Sequence, residues 1–263
     1  MTFYGLGLSS VDPIKYSLVP ERLATLGQPV DYDAIDDNSD VVLRHFRTGE
    51  IEKIFNFDFS EKALVMKYEN FLPEYAGLEK MREYLRGQDI HHFRDVINII
   101  SLWRPHAPEI LDRLEIYRKA KRHSFRYSCL SAEVQRWLEP NFGLMIYHED
   151  LLRIIAHYSG AGLAHANVLR KICKDGLADS SREWGEFKKL APPGVAELVR
   201  EESKWAFCMS HSVAFARLTK QTAVLKSLHP RVYAEEIEKF QNKHGFTWDD
   251  IGIRIKGVSL LQN

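Results

Sequence analysis

From Asp40 onward the sequence is a succession of blocks with apolar residues at helical spacing, and glycine or proline closes most of them. "SDVVLRHFRTGE" puts Val42, Leu43 and Phe46 on one face behind Ser39 or Asp40 as cap, and Gly49 ends it. "HHFRDVINIISLW" aligns Phe93, Val96, Ile97, Ile100 and Trp103 before Pro105 stops it. "PEILDRLEIYRKAKR" turns Ile110, Leu111, Leu114 and Tyr117 inward, and "SAEVQRWLEP" is a short helix capped by Ser131. Further helices run to Gly160 and to Gly176, and Pro192-Pro193-Gly194 splits "REWGEFKKLAPPGVAELVREESKW" into a pair. A chain punctuated this way is mostly α. Strand is expected only at the edges, in "IEKIFNFDF" and "FTWDDIGIRIKGVSLL", where apolar residues alternate. "SEKALVMKYEN" reads as a helix started by Ser60. Residues 1–40, with Gly5, Gly7, Pro13, Pro20, Gly27 and Pro29, read as irregular.

Charge narrows the function. The 36 basic and 36 acidic residues cancel, so any hold on a polyanion must come from a local basic face. The 3 cysteines form no CxxC pair, which disfavours a disulfide framework or a zinc knuckle and suits a reducing, cytoplasmic setting. The N-terminus lacks the basic and apolar regions of a signal peptide, and runs such as "VINIISLW" are too short to span a bilayer.

Several stretches could carry chemistry. "FCMSHSVAFARLTKQTAVLKSLHP" reads as a helix capped by Ser210, with His211 in its first turn and Arg217, Lys220, Gln221 and Lys226 farther along. Free N–H groups at a helix start suit phosphate, whereas a capped surface helix with solvated charges suits the same spacing. Arg104 in "LWRPHAP" sits between a helix and a proline, held either for bidentate phosphate contact or for its own helix carbonyls. "IYHEDLLRIIAHYSGAGLAHANVLRK" opens on Tyr147, Glu149 and Asp150 and ends on Arg170-Lys171; it contains neither HExxH nor GxGxxG. "YRKAKRHSFRY" mixes Arg118, Lys119, Lys121 and Arg122 with aromatics, either a nucleic-acid backbone track or a solvated helix face. The aspartates of "VDYDAIDDNSD" read as a turn and cap rather than a magnesium site.

The order of these stretches resembles the central part of bacterial DNA polymerase III alpha subunits, the C-family replicative polymerases. "FYGLGLSS", "FRDVINIISLWRPHAP", "RKAKRH", "LEPNFGLMIYHEDLLRIIAHYSGAGLAHANVLRK" and the helix from Phe207 to Pro230 follow the family's motifs over roughly residues 1–235. The resemblance implies a multi-helical fingers domain over 41–232, a palm-edge segment and linker over 1–40, and a C-terminal helix and strand over 233–263. It implies a role in DNA replication, with DNA or a deoxynucleotide and a palm-bearing polymerase subunit or other replication protein as partners. It places Arg104, Tyr147, Glu149, Arg170, Lys171, Ser210, His211, Gln221 and Lys226 on motif positions, most of them expected to face nucleotide or DNA phosphate.

Departures from the family pattern are equally specific. Tyr4 stands where the family strand carries a catalytic aspartate, and Met209 where a lysine precedes Ser-His. His148, His106-Ala107 and Ala164-His165 replace further motif residues. The resemblance puts the family's two other catalytic aspartates ahead of Met1. A tyrosine does not replace a carboxylate as a magnesium ligand at neutral pH. The expectation is therefore a chain inactive by itself, using Mg2+ only if a partner supplies the carboxylates. Two readings follow: a fingers polypeptide of a split polymerase, or a catalytically dead DNA-binding or protein-interaction module, acting in the cytoplasm at the nucleoid or in a phage host.

Overall fold

The computed structural model describes residues 11–55, 57, 78–103 and 110–244. Its helices are α1 (Val11–Thr25), α2 (Asp40–Thr48), α3 (Leu78–Arg86), α4 (Phe93–Leu102), α5 (Ile110–His123), α6 (Ala132–Arg136), α7 (His148–Ser159), α8 (Leu163–Lys174), α9 (Arg182–Leu190), α10 (Val195–Glu202), α11 (Met209–Leu228) and α12 (Pro230–His244). The chain divides into two compact units. One comprises Met1–Ile100, Arg104–Leu111 and Val213–Asn263; the other comprises Ser101–Trp103 and Asp112–Ser212. Among the described residues there is no strand, only one isolated parallel bridge between Tyr147 and Phe207. The mostly helical fold expected from the sequence is the fold observed.

The first unit is organised by α11. Its Leu218 and Leu225 join Val19 and Leu23 of α1, Phe55, and Tyr233 and Ile237 of α12 in one buried cluster. The polar residues of α11 face inward too. Thr222 Oγ1 accepts the backbone N–H of Phe55 at 3.2 Å, and Thr219 donates to the carbonyl of Phe55 at 3.1 Å. The Lys220 ammonium donates to the carbonyls of Tyr32 and Ile35 at 2.9 and 2.7 Å and lies 2.6 Å from the Asp37 carboxylate. Each of these groups replaces a hydrogen bond to water that the loop backbone loses on folding.

Two expectations fail in this unit. Residues 11–25 are helical, not irregular. Pro13 falls in the first turn, where its missing N–H has no intrahelical use. Pro20 is interior, at a cost of about 3 kcal/mol, but fully burying Val19 and Leu23 contributes about 1.5–3 kcal/mol each. Burial wins. The described part of "IEKIFNFDF" forms turns rather than a strand: Ile54 N donates to Ile51 O and Phe57 N to Ile54 O, both at 3.1 Å. Ile51, Ile54, Phe55 and Phe57 are all buried there, which no period-two strand with one wet face achieves. The stretches "FYGLGLSS", "SEKALVMKYEN" and "FTWDDIGIRIKGVSLL" lie outside the described residues.

The second unit stacks α6 to α10 around Leu138, Met145, Leu151, Ile154, Leu169, Trp184, Phe187 and Val199. Its punctuation follows the sequence: Ser131 Oγ accepts Val134 N at 3.3 Å to start α6, and Gly160 ends α7 at φ 66°. Between α5 and α7 the chain is pinned by Gln135, whose amide donates to the carbonyls of Phe125 and Gly143 and accepts Tyr127 N. At the start of α7, Asp150 Oδ2 accepts the backbone amides of Tyr147 and Ile146 and the Asn141 side chain, at 3.1, 3.3 and 3.2 Å. Burial pushes the Asp150 carboxyl up to about 6, against these amides, which hold it down.

Candidate polyanion-binding site

The segment after α10 returns to the start of α7 through the Tyr147–Phe207 bridge. His148 N donates to Phe207 O at 2.8 Å, and Phe207 N to Ile146 O at 3.0 Å. This pairing sets the first turn of α11 beside the first turn of α7. There the Glu149 carboxylate accepts Met209 N through both oxygens, at 3.2 and 3.1 Å. The helix begins at Met209, so Ser210 is not its cap: Ser210 is exposed in the first turn, 3.1 Å from Cys208 Sγ. Glu149 already covers the positive pole expected to receive phosphate.

The cationic centre lies one step away, on α8. Arg170 is only 7% exposed. Its Nε and Nη2 both donate to Asn167 Oδ1, at 3.2 and 3.1 Å, and its Nη1 lies 3.4 Å from His148 Nε2. Among the described residues no carboxylate pairs with it. The spacing i, i+3 on one helix face lets Asn167 hold the guanidinium fork in a fixed orientation. Burial, and then the Arg170 charge, lower the basicity of His148, keeping that ring a neutral neighbour. Lys171 and Lys174 are exposed on the same helix. The His211 ring meets Phe207 edge-on at 5.6 Å, which brings it to the same corner.

The other sequence candidates have different roles or places. Tyr147 is buried at the start of α7. Lys226, in the first unit, donates to the carbonyls of Glu50 and Glu52 and also pairs with the Glu52 carboxylate at 3.6 Å. It tethers the turn after α2. Gln221 is half-buried in the same unit. On α5, Arg118 holds Glu115 through two bonds at 2.6 and 2.5 Å, and Lys119 approaches the same carboxylate at 3.6 Å. Lys121 is half-buried and Arg122 exposed. Arg104 lies outside the described residues. Sequence reasoning missed Asn167, although its position three residues before Arg170 was a usable signal.

Residues 77–191 match the family described as the bacterial DNA polymerase III alpha subunit finger domain. Over those residues the chain is similar to a DNA polymerase III alpha finger domain. The match spans α3 to α9 and includes Arg170 and Lys171. Ser210, His211, Gln221 and Lys226 fall beyond it. Among relatives, the DNA polymerase III subunit alpha of Campylobacter jejuni is 27% identical over 241 residues, covering 87% of this chain and 18% of the relative. That of Halalkalibacterium halodurans is 24% identical over 160 residues, 57% of this chain and 14% of the relative. That of Mycobacterium tuberculosis is 27% identical over 168 residues, 58% of this chain and 14% of the relative. The chain thus spans less than a fifth of the length of these relatives. Among the described residues no three His, Cys, Asp or Glu side chains cluster as metal ligands, and no helix is long and apolar enough to cross a membrane.

Proposed function

We propose that the chain acts in DNA replication as a finger element that grips the phosphates of a deoxynucleoside triphosphate or of template–primer DNA. The observation that carries this is Arg170: a guanidinium 7% exposed, oriented by Asn167, with no carboxylate paired to it among the described residues. A buried charge without a counter-charge is costly to the fold by itself. An anionic ligand entering the site relieves that cost and gains charge-assisted hydrogen bonds. Lys171 follows it on α8, and Glu149 already occupies the start of α11.

Gripping is not joining. Phosphoryl transfer needs carboxylates to hold Mg2+, and Tyr4 stands where the family strand would offer one. The reading therefore assigns the metal-holding carboxylates to a palm-bearing partner. The same grip without such a partner would make a DNA-binding module, a reading that Met209 in place of the family's lysine favours.

Calorimetric titration with a deoxynucleoside triphosphate, with and without Mg2+, tests the proposal. The wild-type chain binds, and Arg170→Met, which keeps an unbranched stem without the charge, loses about tenfold or more in affinity. Equal binding by the two proteins refutes the Arg170 site.

A further inference from the structure

In the second unit, on the outer face of α7 and away from the pairing of His148 with Phe207, aromatic and cationic side chains form a continuous array. The Arg153 guanidinium carbon lies over the Trp137 ring, 4.8 Å from its centroid. The His157 ring meets Trp137 at 5.2 Å with an interplanar angle of 88°, and Tyr158 lies 4.8 Å beyond it at 76°. The Tyr158 hydroxyl accepts the backbone N–H of Ser131 at 3.3 Å, which fastens the array to the start of α6. Arg153 and His157 are exposed; Trp137 and Tyr158 are half-buried.

Two features define what this array suits. First, it is cationic: the exposed Arg153 and the neighbouring exposed Arg136 carry its charge, with Glu133 and Glu139 on the flanking turns. Second, it is built of aromatic rings rather than aliphatic side chains. The large exposed apolar side chains of the unit are Ile116, Leu163, Val168, Leu177 and Leu190, none of them between Ser131 and Ser159. An amphipathic helix needs an apolar groove, and an added strand needs an open sheet edge. A nucleobase needs only a planar cation or ring to stack on and a positive charge near its phosphate.

We propose that Trp137, Arg153, His157 and Tyr158 form a stacking platform for unpaired bases of a single-stranded polynucleotide, with Arg136 and Arg153 facing its phosphates. The inference shares with the proposed function only the premise that the chain meets nucleic acid. It uses a different surface and none of Arg170, Lys171 or His211.

Fluorescence anisotropy of a labelled oligothymidylate with the full chain, at low and moderate salt, tests it. The wild type binds, and the R153A/H157A double variant, whose residues are exposed, binds about tenfold or more weakly with an unchanged melting temperature. W137F, which keeps a ring in place, loses much of the tryptophan quenching that binding causes. Absence of wild-type binding at about 100 µM protein and low salt overturns the inference, as does equal binding by R153A/H157A. Competition by poly-L-glutamate as effective as by oligothymidylate also overturns it, because charge without stacking would then suffice. R170M separates the two surfaces. Loss of triphosphate binding with retained oligothymidylate binding supports the platform; loss of both in R170M, with R153A/H157A intact, removes the platform and leaves the Arg170 site.

Discussion

The carboxylate of Glu149 holds the backbone amide of Met209 with both oxygens, so the first turn of one helix caps the first turn of another 60 residues later. Removing that carboxylate has two separable effects. Glu149→Ala destabilises the second unit by about 1–2 kcal/mol, the usual worth of a charged cap, read by urea denaturation. Glu149→Gln retains part of the cap, removes a negative charge beside His148, and binds a nucleoside triphosphate more tightly than wild type.

Arg170→Met raises stability while it weakens anion binding. The wild-type fold carries a buried guanidinium with no carboxylate partner among the described residues, and a thioether of similar reach needs none. Urea denaturation without ligand shows the variant equal to or more stable than wild type. Saturating triphosphate reverses the order, because only the wild type is stabilised by binding.

Lys220→Met costs about 2–3 kcal/mol. The ammonium is 12% exposed and serves two carbonyls and the Asp37 carboxylate. The variant leaves the carbonyls of Tyr32 and Ile35 without their donor. Equilibrium denaturation measures the loss, and faster hydrogen exchange around residues 30–38 locates it.

Gly143→Ala is severely destabilising, by more than about 3 kcal/mol. Gly143 has φ 89°, and a Cβ there would sit 1.9 Å from the carbonyl oxygen of Phe125. Backbone, not a flexible side chain, stands in the way. Soluble yield and thermal melting of the variant check the expectation.

The two units respond to pH with opposite slopes. Asp150 titrates at about 6 in the fold instead of 3.8, so its contribution is complete below about pH 4 and lost as pH rises through 6. His45 is buried beside Lys226 and Arg44 and is lowered from 6.5 to about 4. Its contribution is complete above about 6.5 and lost as pH falls toward 4. Each effect is bounded by about 3 kcal/mol. Hydrogen exchange of α7 and α2 amides between pH 4 and 7 separates them. Asp150→Asn flattens the first dependence and His45→Gln the second.

Local punctuation was legible in the sequence. Ser131, Gly49, Gly160 and the Pro-Pro-Gly break act on their own neighbourhoods, and the helices they bound are those observed. What escaped were features decided by distant partners. Helix α1 carries two prolines, and only its burial against α12 outweighs them. Helix α11 reads as a basic surface helix, but Ser212, Thr219 and Thr222 are buried and its lysines hold loop carbonyls about 175–190 positions away. Motif order singled out Arg170. That no carboxylate among the described residues pairs with it, and that Glu149 occupies the start of α11, are three-dimensional facts that no spacing reveals.

The anchors of residues 32–55 on α11 also impose a sequence of events on a nascent chain. Phe55 waits 167 positions for Thr222, and Tyr32 waits 188 for Lys220. During synthesis from the N-terminus, the contiguous stretch from Asp112 to Ser212 completes its own contacts while the earlier segment still lacks its fasteners. The stretch from Tyr32 to Phe55 is therefore made before the second unit and fastened after it.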